Sequence, residues 1–181
     1  MPKIFLSRRA ALFTFAATLG IGLRASISLA QNTSIRVVKD PNCGCCDAWI
    51  EILARDGFTA SVELFDFDAL QAHKVASGVP AEMISCHTAH VEGYIIEGHV
   101  PPADIRRLLT ERLEAIGLSV PSMPSGSPGM GPESEREGYT VHLIRKDGST
   151  KVYAMNYSPT LRQIFGLFKL PPAPADRFQC C

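Results

Sequence analysis

Three cysteines crowded into four residues, Cys43, Cys45 and Cys46, constrain this chain more than any other feature of its sequence. A disulfide framework spreads its cysteines to join distant loops, whereas crowding is typical of a metal cluster or a redox centre. Gly44 lets the backbone turn tightly around a bound atom. Because soft thiolates select Cu(I), Zn or iron–sulfur clusters, the motif predicts a soft-metal site. The alternatives are a redox dithiol and a structural disulfide with one spare thiol.

The motif stands between a predicted strand and a predicted helix. A β-branched run over 34–38 indicates the strand. After the motif, apolar residues recur at helical spacing as far as Asp56-Gly57. Helix N-termini stabilise negative charge and lower thiol pKa values. Thioredoxin-like folds keep their chemistry at this junction, so the sequence predicts a thioredoxin-like α/β domain.

The remaining pattern predicts the element order β-α-β-α-β-α followed by a β-hairpin. The later elements are a strand over 58–65, a helix over 70–75 capped by Asp66 or Asp68 and stopped by Gly78-Val79-Pro80, a strand over 91–97, a helix over 102–113 closed by Gly117, a hairpin of 139–144 and 151–155 around Asp147-Gly148, and a short helix over 159–168. The Pro/Gly/Ser-rich loop over 121–137 is long, which predicts a functional or mobile segment.

The first 30 residues have the three-part layout of an export signal. Arg8-Arg9 precedes an apolar run over 10–23 that is short for a membrane span, and Ser28-Leu29-Ala30 offers small residues to a signal peptidase. The arginine pair predicts the twin-arginine route, with an ordinary Sec signal or an uncleaved anchor as alternatives. We therefore expect a signal peptide over 1–30, a periplasmic metal-binding domain over 31–157 and an extension over 158–181, with membrane contact only through the signal.

The charge balance excludes one class of partner. Lys+Arg and Asp+Glu number 18 each, so the chain lacks the basic footprint of nucleic-acid binding. The first 30 residues hold four basic residues and no acidic one, which leaves 14 basic and 18 acidic residues in the predicted mature protein. This mildly acidic balance tolerates cations nearby and is a weak sign of metal binding.

Cys86 is the predicted fourth ligand. It lies just before the third predicted strand, whose start faces the N-terminus of the first helix in thioredoxin-like folds. A thiolate there would close a tetrahedral or trigonal sulfur site. The alternative is a buried free cysteine that acts as a small hydrophobe.

Imidazole and thioether side chains are weaker ligand candidates. Instead of binding metal, the histidines could form hydrogen bonds in a loop or turn. The methionines could simply pack against the domain. If residues 87–90 were a strand, His87 and His90 would point to opposite faces, so both cannot be assumed to bind one metal. Cys180-Cys181 is a terminal pair with no predicted element around it, and we do not expect it to form a metal site. The weaker candidates are His87, His99, Met83, Met123 and Met130.

Three segments together resemble the CopG-like periplasmic copper-resistance proteins, which are unrelated to the DNA-binding repressors of the same name. The segments run from Lys39 to Cys46, from Cys86 to Pro101 and from Met123 to Met130, and they agree in order and spacing within residues 34–157. The resemblance implies a thioredoxin-like fold and copper bound by the cysteine motif. The four cysteines of that family map onto Cys43, Cys45, Cys46 and Cys86. It also implies a Cu(I)–thiolate cluster with a redox role.

These observations predict a periplasmic protein of copper tolerance that holds Cu(I), several ions per chain, and exchanges it with other periplasmic copper-handling proteins. Cycling between Cu(I) and Cu(II) would add a redox role, so a copper oxidoreductase activity is left open. Cys43 and Cys46 also have the Cys-x-x-Cys spacing of a thiol–disulfide oxidoreductase. Four thiolates would suffice for a small iron–sulfur electron carrier as well.

Overall fold

The computed structural model of the chain describes residues 32–132 and 135–157. The predicted signal peptide over 1–30, the helix over 159–168 and the extension over 158–181 lie outside the described residues. In chain order the elements are β1 (Thr33–Lys39), α1 (Gly44–Arg55), β2 (Phe58–Leu64), α2 (Phe67–Ala76), a 3₁₀ turn (Ala81–Met83), β3 (Thr88–Val91), β4 (Tyr94–Glu97), α3 (Pro102–Glu111), β5 (Gly117–Ser119), β6 (Tyr139–Ile144) and β7 (Thr150–Asn156).

The strands form one mixed sheet in the order β2-β1-β3-β4-β5-β6-β7. β1 runs parallel to β2, and β4 runs parallel to β5, while the remaining neighbours are antiparallel. The predicted α/β class is confirmed. No helix among the described residues is long and apolar enough to cross a membrane.

The alternation of side chains along each strand gives the sheet two packed faces. On one face, Ile35 and Val37 of β1 pack with Trp49 of α1 and Ile105 of α3 in the main core. On the other face, Ile95 of β4 packs with the residues after α2 in a smaller cluster. The end of β1 and the start of α1 therefore lie at the border of a rigid, buried core.

Two predictions about the middle of the chain are wrong. The single strand expected over 91–97 is a hairpin of β3 and β4, because Glu92 and Gly93 both adopt positive φ angles, 46° and 86°, as a tight two-residue turn requires. Gly117 does not close α3. The helix ends at Glu111, and its C-cap residue Arg112 adopts the left-handed conformation. Gly117 begins β5, where an added Cβ would lie 1.7 Å from the carbonyl oxygen of Ile95.

The other elements predicted within residues 32–157 are present within a few residues of their expected bounds. Asp66 caps α2 by accepting a hydrogen bond from the backbone nitrogen of Ala69 at 2.8 Å. The hairpin of β6 and β7 turns at Asp147-Gly148 as expected. The part of the 121–137 loop that the structure describes folds back onto the start of α1, so this loop contributes to the region that holds the cysteines.

Candidate metal centre

The cysteine motif begins where β1 ends, in a turn fixed by its own residues. Pro41 occupies the second turn position, the backbone nitrogen of Cys43 donates to the carbonyl oxygen of Asp40 at 3.2 Å, and that of Asn42 donates to the Asp40 carboxylate at 2.8 Å. Helix α1 starts at Gly44, and its N-cap residue Cys43 makes no side-chain capping bond. The first turn of the helix therefore directs backbone N–H groups and its positive dipole end toward the sulfurs.

Cys43 and Cys46 are joined by a disulfide in this structure, with Cα atoms 5.4 Å apart, while Cys45 and Cys86 are thiols outside any disulfide. The sulfur of Cys45 lies 3.4 Å from that of Cys43. Because a disulfide sulfur carries no proton, the Cys45 thiol is the donor in this contact. The motif thus combines an oxidised pair and a thiol within one helical turn.

Cys86, two residues before β3, completes the group. The sulfur atoms of Cys43, Cys45, Cys46 and Cys86 all lie within 4.8 Å of one another. A hydrogen bond with Cys45, together with burial, raises the pKa of the Cys86 thiol far above its ordinary value. In the metal-free protein this thiol is protonated, and a metal ion must displace the proton in order to bind.

Two imidazoles contact the same sulfur. Nδ1 of His87 lies 3.3 Å and Nε2 of His99 lies 3.0 Å from the sulfur of Cys86, and these three ligand atoms also fall within 4.8 Å of one another. Nδ1 of His99 is 2.7 Å from the carbonyl oxygen of Pro128, which only accepts hydrogen bonds. Nδ1 therefore carries a proton, and Nε2 is the ring nitrogen that faces Cys86.

His87, like His99, is fully buried. Its ring packs on Trp49 with centroids 4.3 Å apart, and burial lowers its pKa well below the ordinary value, so the ring is neutral. Its Nε2 atom is buried without a hydrogen-bond partner among the described residues. A buried imidazole nitrogen without a partner is costly unless a ligand satisfies it.

A fully buried ion pair supports the segment that carries Cys86. Nζ of Lys74 in α2 lies 2.7 Å from Oε1 of Glu97 in β4, and both side chains are completely buried. The Glu97 carboxylate also accepts from the hydroxyl of Thr88 at 2.6 Å and from the backbone nitrogen of Ser85 at 2.7 Å. Burial raises the pKa of Glu97, while the Lys74 charge and these donors oppose that rise. The network fixes the backbone on both sides of Cys86-His87.

The loop that follows β5 covers the start of α1. Gly129 has φ +88°, and an added Cβ would lie 2.8 Å from the backbone nitrogen of Trp49 and 2.9 Å from the carbonyl oxygen of Cys45. Only glycine allows this approach. Pro128, next to it, supplies the carbonyl oxygen that orients His99. Part of the loop expected to be functional or mobile is therefore packed against the cysteine motif.

Two solved structures described as "copper resistance protein copG", forms 1 and 2, are similar to this chain. They are 39% and 40% identical in sequence, with TM-scores of 0.66 and 0.64, and each comparison covers 70% of this chain and 99% of the other. A family model described as a protein of unknown function, DUF411, matches residues 83–130. No curated protein matches the chain.

The chain belongs to the CopG family of copper resistance proteins. The three segments that carried the resemblance contribute to the region described above: the first holds the cysteine turn, the second holds Cys86 and the two imidazoles, and the third holds the loop against α1. Residues 83–130, the range of the family model, include the second and third segments but not the motif over 43–46.

Within this CopG-family site the ligand candidates from the sequence fall into three groups. The four cysteines lie together, and His87 and His99 lie beside Cys86. Met83 lies elsewhere, buried in the cluster of Val79, Ile95 and Ile144. Met123 and Met130 are half-buried in the loop that covers α1, and their role as ligands stays a prediction.

The residues that support the site were missed. Lys74 and Glu97 are ordinary charged residues in the sequence, and only the pairing of distant elements brings them together. One signal was available: Glu97 ends the strand Tyr94–Glu97, whose other side chains are all apolar. A charge in such a strand needs a buried partner.

Proposed function

We propose that this CopG-family protein binds Cu(I) on the thiolates of Cys43, Cys45, Cys46 and Cys86, and that it serves copper tolerance. The observation that carries the proposal is the convergence of these four sulfurs within 4.8 Å, three from the turn that begins α1 and one from just before β3. The copper resistance proteins to which the chain is similar support copper as the metal.

The donor set fits Cu(I) as the cargo. Thiolates and imidazoles are soft to borderline ligands, and no carboxylate belongs to either ligand group found among the described residues. Thiolate sulfurs bridge metal ions, so four of them can hold more than one Cu(I). His87 and His99 would add nitrogen ligands at the Cys86 side, where Nε2 of His99 already faces the sulfur.

The disulfide supports a redox step in the same site. Two Cu²⁺ ions can each accept one electron while the thiolates of Cys43 and Cys46 each give up one and join as the disulfide, which yields two Cu⁺. Cys45 and Cys86, which are not part of the disulfide, keep their sulfurs to hold the reduced ions. Resetting the site takes two electrons and two protons from an external dithiol, which becomes a disulfide in turn. We propose this cycle as the route by which the protein interconverts Cu(II) and Cu(I).

A thiol–disulfide oxidoreductase is the second candidate function. The observation that favours it is the Cys43–Cys46 disulfide itself, at the N-terminus of a helix and with a sequence separation of three. In this proposal the pair exchanges with a substrate disulfide and needs no metal.

The strand order β2-β1-β3-β4, with β1 parallel to β2 and the next two neighbours antiparallel, supports a thioredoxin-like unit to which β5, β6 and β7 are added. We also propose that the domain over 31–157 is exported to the periplasm through Arg8-Arg9 and passes copper to other periplasmic proteins. Export that is unchanged when both arginines are replaced by Lys would point to the Sec route instead.

A Cu(I) titration against a competing chelator tests the function. We expect the reduced protein to bind more than one Cu(I) per chain and the protein with an intact Cys43–Cys46 disulfide to bind fewer, because oxidation removes two thiolates. Zinc binding without preference for Cu(I) would contradict the copper proposal. Full disulfide exchange activity in metal-free protein that binds no copper would favour the oxidoreductase, and a brown iron chromophore would favour the iron–sulfur alternative.

A further inference from the structure

A second pair of histidines lies on the α2 side of the sheet and belongs to neither group of residues that contains a cysteine. Nε2 of His73 in α2 and Nε2 of His90 in β3 are 2.9 Å apart, and the rings meet edge to face with centroids 5.1 Å apart. Ala89 and Val91 of β3 point into the main core. Side chains alternate along a strand, so His90 points the opposite way, toward α2.

Both rings have lone pairs to offer. Burial, with the cationic Arg36 nearby, lowers the pKa of His73 and lowers that of His90 to about 4. The neutral rings share one N–H···N bond in the structure. In each ring the proton can move to Nδ1, which frees both Nε2 atoms for a metal ion.

The surroundings suit a cation with open coordination positions. Glu63 of β2 acts electrostatically on both rings and pairs with Arg36 at 3.0 Å, which offsets the arginine charge. Phe65 meets the ring of His73 edge-on, with centroids 5.6 Å apart, and restrains it. Both histidines are partly exposed, so water can reach an ion between them. Apart from each other, neither ring has a hydrogen-bond partner within the described part of the chain.

We propose that His73 and His90 form a second metal site, which takes Cu²⁺ or a similar borderline divalent cation with water as the remaining ligands. Two cis nitrogens at about 2.0–2.1 Å from an ion with tetragonal geometry lie about 2.9 Å apart, which is the separation present here. Imidazole ligands favour Cu²⁺, whereas the thiolate group favours Cu(I). No cysteine takes part, so this site does not depend on the function proposed above.

Cu²⁺ titration of the unreduced full chain tests this site. The protein carries no histidine tag, and its free thiols are alkylated so that they neither bind nor reduce copper. We expect one Cu²⁺ per chain, with an electron paramagnetic resonance signal split by two imidazole nitrogens. His73→Ala and His90→Ala should each weaken binding at least tenfold and remove the two-nitrogen pattern. His142→Ala, which removes a half-buried histidine of β6, should change neither result.

A two-nitrogen signal that survives in His73→Ala and disappears in His99→Ala would place the ion beside the sulfur cluster and overturn the proposal. Absence of Cu²⁺ binding by the alkylated wild type would overturn it as well. His73→Gln and His90→Gln guard against misfolding, because glutamine keeps a hydrogen bond between α2 and β3 but is a poor Cu²⁺ ligand. Retention of copper in these variants would also refute the site.

Discussion

The two segments that meet at the sulfur cluster are built in opposite ways. The turn over 40–46 supplies three sulfurs through sequence proximity, and its hydrogen bonds run between near neighbours. The segment over 85–99 supplies one sulfur and two imidazoles, and distant residues hold it: Lys74 through Glu97, and Pro128 through His99. The first half of the site is thus specified locally, while the second half depends on the packing of α2, β4 and the loop after β5.

Breaking the support of the second segment should have the largest effect on stability. Glu97→Ala leaves the charge of Lys74 buried without its partner, which typically costs about 3–5 kcal/mol. It also removes the acceptor of the Ser85 nitrogen, next to Cys86. We expect the midpoint of urea unfolding to fall. In buffer without urea, where the variant is still folded, we expect weaker Cu(I) binding.

The matched control for this variant is Glu114→Ala. Glu114 pairs with Lys146 at the surface, and exposed pairs of this kind often contribute nothing measurable. We expect an unchanged urea midpoint and unchanged copper content. An equal effect of the two substitutions would mean that the buried network does not support the second segment.

Cys86→Ser sharpens the comparison at the proposed fourth ligand. A neutral hydroxyl is a poor substitute for a thiolate, so we expect Cu(I) affinity to fall at least tenfold. Stability should fall by about 1–3 kcal/mol at most, because Nε2 of His99 can accept from the new hydroxyl. Cys45→Ser, in the other segment, should lower Cu(I) affinity similarly with less effect on the melting temperature. Full copper loading in Cys86→Ser would remove this residue from the site.

The same contrast explains how much the sequence could predict. The strand–turn–helix around the motif depends on Pro41, on a β-branched run and on helical spacing, which are local properties, and its prediction is confirmed. The position of Cys86 followed from the expected fold, because a residue just before β3 comes to lie beside the start of α1. Its sulfur does lie there, within 4.8 Å of the other three.

The rest depended on pairings that spacing does not reveal. The β3–β4 hairpin was missed because Glu92, a residue with a Cβ, occupies a left-handed position beside Gly93. The role of Glu97 required the partner strand and α2, and that of Pro128 required the loop to fold over α1. Whether His87 could contact the cysteines was open in the sequence, since it depended on where β3 begins; β3 begins at Thr88, and Nδ1 of His87 lies beside Cys86.

We expect the smallest effect on copper binding from a change at Met83, which lies outside both groups of possible ligands. Its side chain packs with Val79, Ile95 and Ile144, so Met83→Leu is close to a volume-conserving core change and should cost less than about 1.5 kcal/mol. Copper content should stay unchanged, because leucine replaces only apolar contacts. The copper content of Met83→Leu is compared with that of Met130→Leu, because the Met130 thioether, in the loop over α1, remains a predicted ligand. Lost copper with an unchanged melting temperature in Met83→Leu would instead mean that the smaller cluster reaches the metal, and the boundary between the site and the core would have to move.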